Sequence, residues 1–374
     1  MPSATSTGTP AALAEAAGRP RLEAAIGALR TLCLSLLGLL ALEGASRVVH
    51  LGARPMIPYR TGADGASRMG VLLDTAVTLQ GYGRLRYVTD DVGARVASVE
   101  RRATERQGAT LVVGDSQSLG WGQPFEATFA SHLAQGLTGD ATDAVILASA
   151  ANDPEASLGW VAEYAQRHPV RHGLALVALN LGNDLDEMYL GRRDVRTRSP
   201  ITEWLSSRSF LFLDMALLRQ RAFGETQSMP PGTNPTVFAL QPEELRVLVD
   251  ETAQVLRRSL QALPPAERKA VLIVPNDYQI DLSEMKKYRA AYPDPAVFQG
   301  WLDRAPEAAQ RLDAVSRHVA ERLRQQGILV VESAGALRQA ATQARMFDDY
   351  SHHLTREGHV VVAATVRRAL EGQP

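Results

Sequence analysis

The sequence predicts an α/β fold: a mainly parallel five-stranded sheet covered by helices on both faces, a three-layer α/β/α sandwich. Three observations predict it. Five apolar runs recur from residue 109 onward: "TLVVGDS", "DAVILASAAN", "GLALVALNLGND", "KAVLIVPND" and "GILVVES". Their apolar parts are continuous rather than alternating, as strands buried on both faces are. Stretches with helical spacing separate them, and each run ends in small polar residues. Ligands sit at the carboxyl ends of the strands in such sheets.

The elements follow in order. Residues 1–23 open with small, polar and Ala-rich sequence, which predicts a disordered tail. "AAIGALRTLCLSLLGLLALEGASRVV" comes next, with an uncharged centre from Thr31 to Leu42, between Arg30 and Glu43. A full span wants about 20 apolar residues, so Arg30 must snorkel and Ala24–Leu29 must enter the bilayer. Arg19, Arg21 and Arg30 precede the run, which suits a cytoplasmic N-terminus and puts the rest outside the cytoplasm, in the periplasm or at the cell surface. A cleaved signal peptide and a buried helix are the rival readings. Glu43 spoils a small-x-small cleavage site, and Thr31-Leu32 before Cys33 spoils a lipoprotein signal. The expectation is an uncleaved membrane-anchor helix over 24–45.

Residues 46–108 are a connecting region, where "VLLDTAVTLQGYGRLRYVTDDVGARV" shows strand-like alternation and turn glycines, a small sheet or an extended arm. The α/β domain occupies 109–374. Its helical stretches include "FEATFASHLAQGL", "SLGWVAEYAQRH", "PEELRVLVDETAQVLRRSLQAL" and "PEAAQRLDAVSRHVAERLRQQ". The rhythm breaks at about 186–240, which reads as an insertion or lid with a Pro/Gly-rich loop. Within it Trp204, Phe210 and Phe212 suit core packing or an acyl or sugar pocket.

Bulk properties exclude some classes. Forty basic residues face 41 acidic ones, for a net charge of −1, so no electrostatic nucleic-acid binder is expected. One cysteine, Cys33, permits no intrachain disulfide.

Four polar loops carry the chemistry: Gly114-Asp115-Ser116, Ser149-Ala150-Ala151-Asn152, Gly182-Asn183-Asp184, and "FDDYSHHLTREGH" near the C-terminus. At one sheet edge they supply a serine, an amide, carboxylates and histidines, the inventory for nucleophilic acyl transfer. A serine hydroxyl needs a neighbouring imidazole to take its proton, and the imidazole needs a partner that fixes its tautomer. Oxyanion donors are expected from the Ser116 N–H, the Ala151 N–H and the Asn183 side chain. Asp115 and Asp184 suit hydrogen bonds to loop backbone, Trp121 and Trp160 suit packing, and Asp348 suits a solvated position. Other motifs fail. Ser118 stands where a nucleophile elbow needs its last glycine, no Gly-Lys-Ser/Thr follows Gly114, and "GWGQPF" is no dinucleotide fingerprint. The cluster of His352, His353 and His359 has no His-Glu-x-x-His pattern, so neither metal nor cofactor is expected, and His359 suits a helix start.

These blocks, in this order over residues 109–370, resemble the SGNH (GDSL-type) hydrolase superfamily. "GDSQSLGWG" followed by "FEATFASHL" is also similar to membrane-anchored bacterial members linked to envelope or exopolysaccharide acylation. The resemblance implies a flavodoxin-like sheet, Ser116 as nucleophile and a C-terminal Asp/His pair as the rest of a triad. The chain departs from the family pattern in three places. Ala151 stands where glycine is usual, and Gly182 directly precedes Asn183. In the fourth block Asp349-Tyr350-Ser351-His352 matches Asp-x-x-His, yet His353 has the better spacing to Gly358. The base is therefore His352 or His353, with the balance toward His353 and with Asp349 as orienter. The expected function is hydrolysis or transfer of acyl, chiefly acetyl, esters on a small-molecule, carbohydrate or envelope substrate, with the membrane as a further partner. The alternative is a catalytically inactive, membrane-tethered carbohydrate-binding or assembly subunit.

Overall fold

The computed structural model describes residues 10–49, 53–54, 57–62, 66–79, 81–102, 108–150, 152–189, 205, 209–212, 214–215, 240–291, 295–349 and 351–372. Helix α1 (Pro10–Val49) begins well inside the stretch expected to be a tail. Its "AALAEAA" start is rich in alanine, the strongest helix former. Ile26–Val49 has a mean hydropathy of 1.7 and the length to cross a membrane, properties that a signal sequence shares. Leu32, Leu34, Leu36, Leu37, Leu39 and Leu40 are all exposed, so the apolar surface runs round the helix. Near its end Glu43 accepts hydrogen bonds from the Phe210 N–H (3.1 Å), the Leu211 N–H (3.0 Å) and the Ser209 hydroxyl (2.8 Å). Phe210 is buried. Most of the stretch read as a lid, Trp204 included, lies outside the described residues.

The connecting region folds into strands: β1 (Ala53–Arg54), β2 (Tyr59–Thr61), β3 (Ser67–Met69), β4 (Asp74–Leu79), β5 (Gly83–Thr89) and β6 (Arg95–Val96). β2 and β3 form a separate antiparallel ribbon. β4 and β5 form a hairpin, from Asp74 opposite Val88 to Leu79 opposite Gly83. The α/β part follows: β7 (Thr110–Gly114), α2 (Ser116–Leu119), α3 (Phe129–Thr138), β8 (Ala144–Ala148), α4 (Leu158–Arg167), β9 (His172–Asn180), α5 (Asp184–Tyr189) and α6 (Pro242–Ala262). It ends with β10 (Ala266–Val274), α7 (Asp277–Ile280), α8 (Pro295–Arg324), β11 (Leu329–Glu332), α9 (Ala334–Ala341) and α10 (Arg356–Glu371).

The five expected strands are parallel and lie in the order β8-β7-β9-β10-β11. Numbered along the chain this is 2-1-3-4-5, the doubly wound flavodoxin-like order. The sheet does not stop there. β6 pairs antiparallel with β8 through Arg95 and Ile146, and β5, β4 and β1 continue outward to nine strands. Two-residue strands such as β1 and β6 are too short to show a period, which is why the sequence left a small sheet and an extended arm both open.

Side chains alternate across the sheet and build two cores. Leu111, Val113, Val177 and Ile273 pack with Trp160 and Tyr164 of α4, Leu256 of α6 and Leu312 of α8. Val112, Ile146, Leu176 and Leu272 pack with Phe129 and Leu133 of α3 and Val362 and Val366 of α10. These are the two covered faces that the continuous apolar runs predicted. Gly114 pairs with Ala148, and Val113 with Val177, so the loops after β7, β8 and β9 leave from one edge.

Candidate active site

The first loop turns sharply. A Cβ on Gly114 would lie 2.3 Å from the Ser118 Oγ, so only glycine lets the chain fold back here. Asp115 caps α2, its carboxylate accepting from the Gln117 N–H at 3.0 Å. Ser116 is the first residue of the helix, where the backbone N–H has no intrahelical acceptor. Its side chain is buried, and its Oγ donates to Asp115 Oδ2 over a long 3.4 Å. Arg95 holds the far end of the loop. It is fully buried, its guanidinium lies 4.3 Å from the Tyr87 ring centroid, and it donates to the carbonyls of Leu119 (2.6 Å) and Gln123 (2.9 Å).

The third loop meets the first. Asn180, the last residue of β9, donates from Nδ2 to Asp115 Oδ2 (2.8 Å) and to Asn183 Oδ1 (2.6 Å). The Gly182 N–H returns to Asn180 Oδ1 at 2.9 Å. Asn183 then donates to Glu187 Oε1 at 2.9 Å, and Asp184 accepts from the Asn180 N–H at 2.7 Å. A chain of amides therefore runs from the cap of the serine helix to the expected oxyanion donor. Burial raises the carboxyl groups of Asp115, Asp184 and Glu187, Glu187 to about 7. For Asp184 the Asp115 charge adds to the rise, whereas for Asp115 the Asn180 hydrogen bond opposes it.

The fourth loop folds back between Phe347 and Leu354, which form an antiparallel bridge. Gln117, directly after Ser116, clamps it: the side-chain amide donates to the His352 carbonyl and accepts from the Leu354 N–H at 3.0 Å. Both histidines are buried, with their rings stacked 4.7 Å apart, and Trp121 stacks on His353 at 5.8 Å. Burial lowers the His352 imidazole, against the pull of Asp277 and Asp115. It lowers His353 well below the ordinary range, helped by repulsion from His352. Burial thus favours the neutral form of both imidazoles. His353 Nδ1 lies 2.6 Å from Ser351 Oγ, which in turn lies 2.9 Å from Asp348 Oδ2 and 2.9 Å from the Tyr82 hydroxyl. The Tyr82 hydroxyl also bonds Asp348 Oδ2.

The expected residues divide. Ser116, Asn183, His352 and His353 are brought to one sheet edge, and Asp115 and Asp184 hold loop backbone as expected. Ala151 lies outside the described residues; its neighbour Asn152 is buried with neither end of its carboxamide partnered among the described residues. Asp349 is not at the histidines. Its carboxylate is exposed and pairs with Arg345, one helical turn back in sequence. Asp348, expected to be solvated, is the buried acid of this loop. Adjacent acids on a loop with no period give a sequence reader no way to tell which one turns inward. Trp160 packs as expected, its indole N–H donating to the Val92 carbonyl at 2.7 Å. His359 sits in the first turn of α10, buried, its Nδ1 accepting from the Phe129 N–H at 3.2 Å.

Four residues of the site escaped the sequence. Gln117 reads as filler inside a motif, and Asn180 as the end of a strand. Arg95 and Tyr82 come from the connecting region. Tyr82 carried a faint signal in Gly122, where a Cβ would lie 2.3 Å from the Tyr82 ring. Together the loops bring the Ser116 hydroxyl, the imidazoles of His352 and His353 and amide donors to a strand edge, a set able to support nucleophilic acyl transfer.

The strand order is the doubly wound one, and the first three polar loops lie at its strand ends. No family model matches the chain, and no curated protein matches it. Solved structures do. An alpha/beta hydrolase enzyme from the metagenome of Lake Arreo, Spain, is 12% identical, over 72% of this chain and 98% of that one, with a TM-score of 0.38. A catalytic mutant of an acetylxylan esterase from Geobacillus stearothermophilus is 12% identical over 72% and 97%, with a TM-score of 0.37. A member of the lipolytic protein G-D-S-L family from Veillonella parvula is 9% identical over 71% and 99%, with a TM-score of 0.34. Likeness this loose carries none of the functional argument, which rests on the residues above.

Proposed function

We propose that this chain is a serine-dependent ester hydrolase or O-acyltransferase, tethered to a membrane by α1. One observation carries the reading: Gln117 binds the backbone of both His352 and Leu354, so the residue after the serine holds the histidine loop against the serine helix. Ser116 Oγ leaves Asp115 and attacks an ester carbonyl while an imidazole takes its proton. His353 is the proposed base. The Ser116 N–H and the Asn183 side chain receive the developing oxyanion. The tetrahedral intermediate collapses, the C–O bond to the alcohol breaks, and the imidazolium returns the proton to that alcohol. Water or a sugar hydroxyl then resolves the acyl-enzyme. The proposed substrate is an acetylated carbohydrate or envelope ester, supported by the resemblance of "GDSQSLGWG" and "FEATFASHL" to envelope-acylating proteins.

A fluorophosphonate probe is expected to label Ser116, and Ser116→Ala to abolish hydrolysis of a chromogenic acetate ester. Unchanged activity in that variant would sink the reading. Assays on acetylated polysaccharides with and without acceptor sugars separate hydrolysis from transfer. The Ser116–Asp115 contact favours a second reading, a tethered carbohydrate-binding or assembly subunit without turnover; saturable binding of the same polysaccharides by a protein that resists the probe would support it. The apolar surface of Ile26–Val49 and the arginines before it support anchoring with the catalytic part outside the cytoplasm. A reporter fused after Pro374 that works only in the cytoplasm would overturn that topology.

A further inference from the structure

We propose that Asp348 orients His353 through Ser351 rather than by direct contact, and that this relay sets the imidazole tautomer. The inference deepens the proposed function, since it concerns the same base. It follows from counting protons. A carboxylate only accepts, while a serine or tyrosine hydroxyl has one proton to give. The Tyr82 hydroxyl gives its proton to Asp348 Oδ2. Ser351 Oγ gives its own to the same oxygen at 2.9 Å, and the Ser351 N–H donates to Asp348 Oδ1 at 2.5 Å. Ser351 Oγ is then left with lone pairs only. At 2.6 Å from His353 Nδ1 it accepts, so Nδ1 carries the hydrogen. Nε2 must carry the lone pair.

The surroundings agree. His353 Nε2 is buried and has no hydrogen-bond partner among the described residues, so no contact at that atom opposes the assignment made from Nδ1. The rings of Trp121 and His352 stack against His353, which restrains its plane. Asp348 is itself fixed: its N–H donates to the His353 carbonyl at 2.9 Å, and Lys287 donates to its carbonyl at 3.0 Å. Lys287 also pairs with Asp277 at 2.7 Å and Glu284 at 3.0 Å, so the support reaches into the segment after β10. Ser351 and Asp348 are positioning residues here, acting on the substrate only through His353. The serine transmits orientation fully but the acid's charge only across an extra bond.

The test reads the tautomer directly, by imidazole nitrogen NMR on the full chain labelled at histidine in detergent micelles. The His353 signal is assigned by its loss in His353→Asn. The wild type is expected to show hydrogen on Nδ1, and Ser351→Ala to move it toward Nε2. In the acetate ester assay Ser351→Ala is expected to lower kcat about 100-fold, since a wrong tautomer disables a general base, with KM within about threefold because substrate binding is untouched. Ser351→Thr, which keeps the hydroxyl, is expected to restore both. Hydrogen on Nε2 in the wild type would overturn the relay, as would Ser351→Ala retaining both tautomer and rate. A wild type with the Nδ1–H tautomer that neither hydrolyses esters nor takes a fluorophosphonate supports the relay and refutes the ester reading alone.

Discussion

Replacing Gln117 with leucine removes the clamp between the serine helix and the histidine loop while nearly keeping volume. The side chain is buried, and its two bonds go to backbone groups, the His352 carbonyl and the Leu354 N–H. Each group left unpaired in the interior costs about 1–3 kcal/mol, so the pair costs about 2–6 kcal/mol unless the loop opens to water. At roughly 2–4 °C per kcal/mol for a domain of this size, the melting temperature should fall by about 10 °C. The chemistry should suffer more than stability alone accounts for, because about 1 Å of misplacement between reacting groups costs about 100-fold in rate. The assay is the second-order rate of fluorophosphonate labelling at Ser116, measured well below the melting point of both proteins. Gln117→Glu keeps an acceptor for Leu354 but sets a carboxylate oxygen against the His352 carbonyl, so it should fall at least as far. Wild-type melting and labelling in Gln117→Leu would refute the claim that this side chain holds the site together.

Two further predictions concern pH. Burial lifts the Glu187 carboxyl to about 7, partly opposed by the Asn183 hydrogen bond and reinforced by Asp115, Asp153 and Asp186. Its folded value is raised, so its stabilisation is full below the ordinary value of 4.5 and is lost as pH rises through 7. Glu187→Gln should therefore gain on the wild type by about 3 kcal/mol above pH 7 relative to its standing at pH 4; urea unfolding at both pH values checks this, and a pH-independent difference would refute it. His359 runs the other way. Burial depresses its imidazole to about 3, aided by His132 and Arg95, so its contribution is full above 6.5 and is lost as pH falls toward 3. His359→Leu should lose about 1–3 kcal/mol at pH 7, because the Phe129 N–H loses its acceptor, yet should resist acid better than the wild type. Unfolding midpoints at pH 7 and pH 4 decide it, and fluorophosphonate labelling of Ser116 should be unaffected.

Much of the fold was legible because its signals are periodic or punctuated. Continuous apolar runs announced the five parallel strands, and polar residues after each run announced the loops that meet at one edge. The placement of Ser116 and Asn183 in strand-end loops was legible for that reason. What was not legible depends on contacts between distant segments. Tyr82 reaches Ser351 across 269 positions of sequence, and no local pattern encodes that pairing. The two adjacent acids show the same limit at short range. Asp348 turns inward because Tyr82 and Ser351 await it, while Asp349 meets Arg345 at the surface. The register of the histidines was open in sequence because either spacing fits a motif. The structure separates them by partner, His353 through its Nδ1 to Ser351 and His352 through its carbonyl to Gln117.

The outer strands have a consequence for how the protein can be cut and where it can work. A fragment starting at residue 109 would lose Tyr82 and would bare the edge of β8, a row of open backbone donors and acceptors that invites aggregation. A water-soluble version must keep everything from β1 onward. The junction itself is short: α1 ends at Val49 and β1 starts at Ala53, four peptide steps, which span at most about 14 Å. Under the anchored reading there is no leash. The reach of the serine is then set by the size of the folded part and not by a long linker.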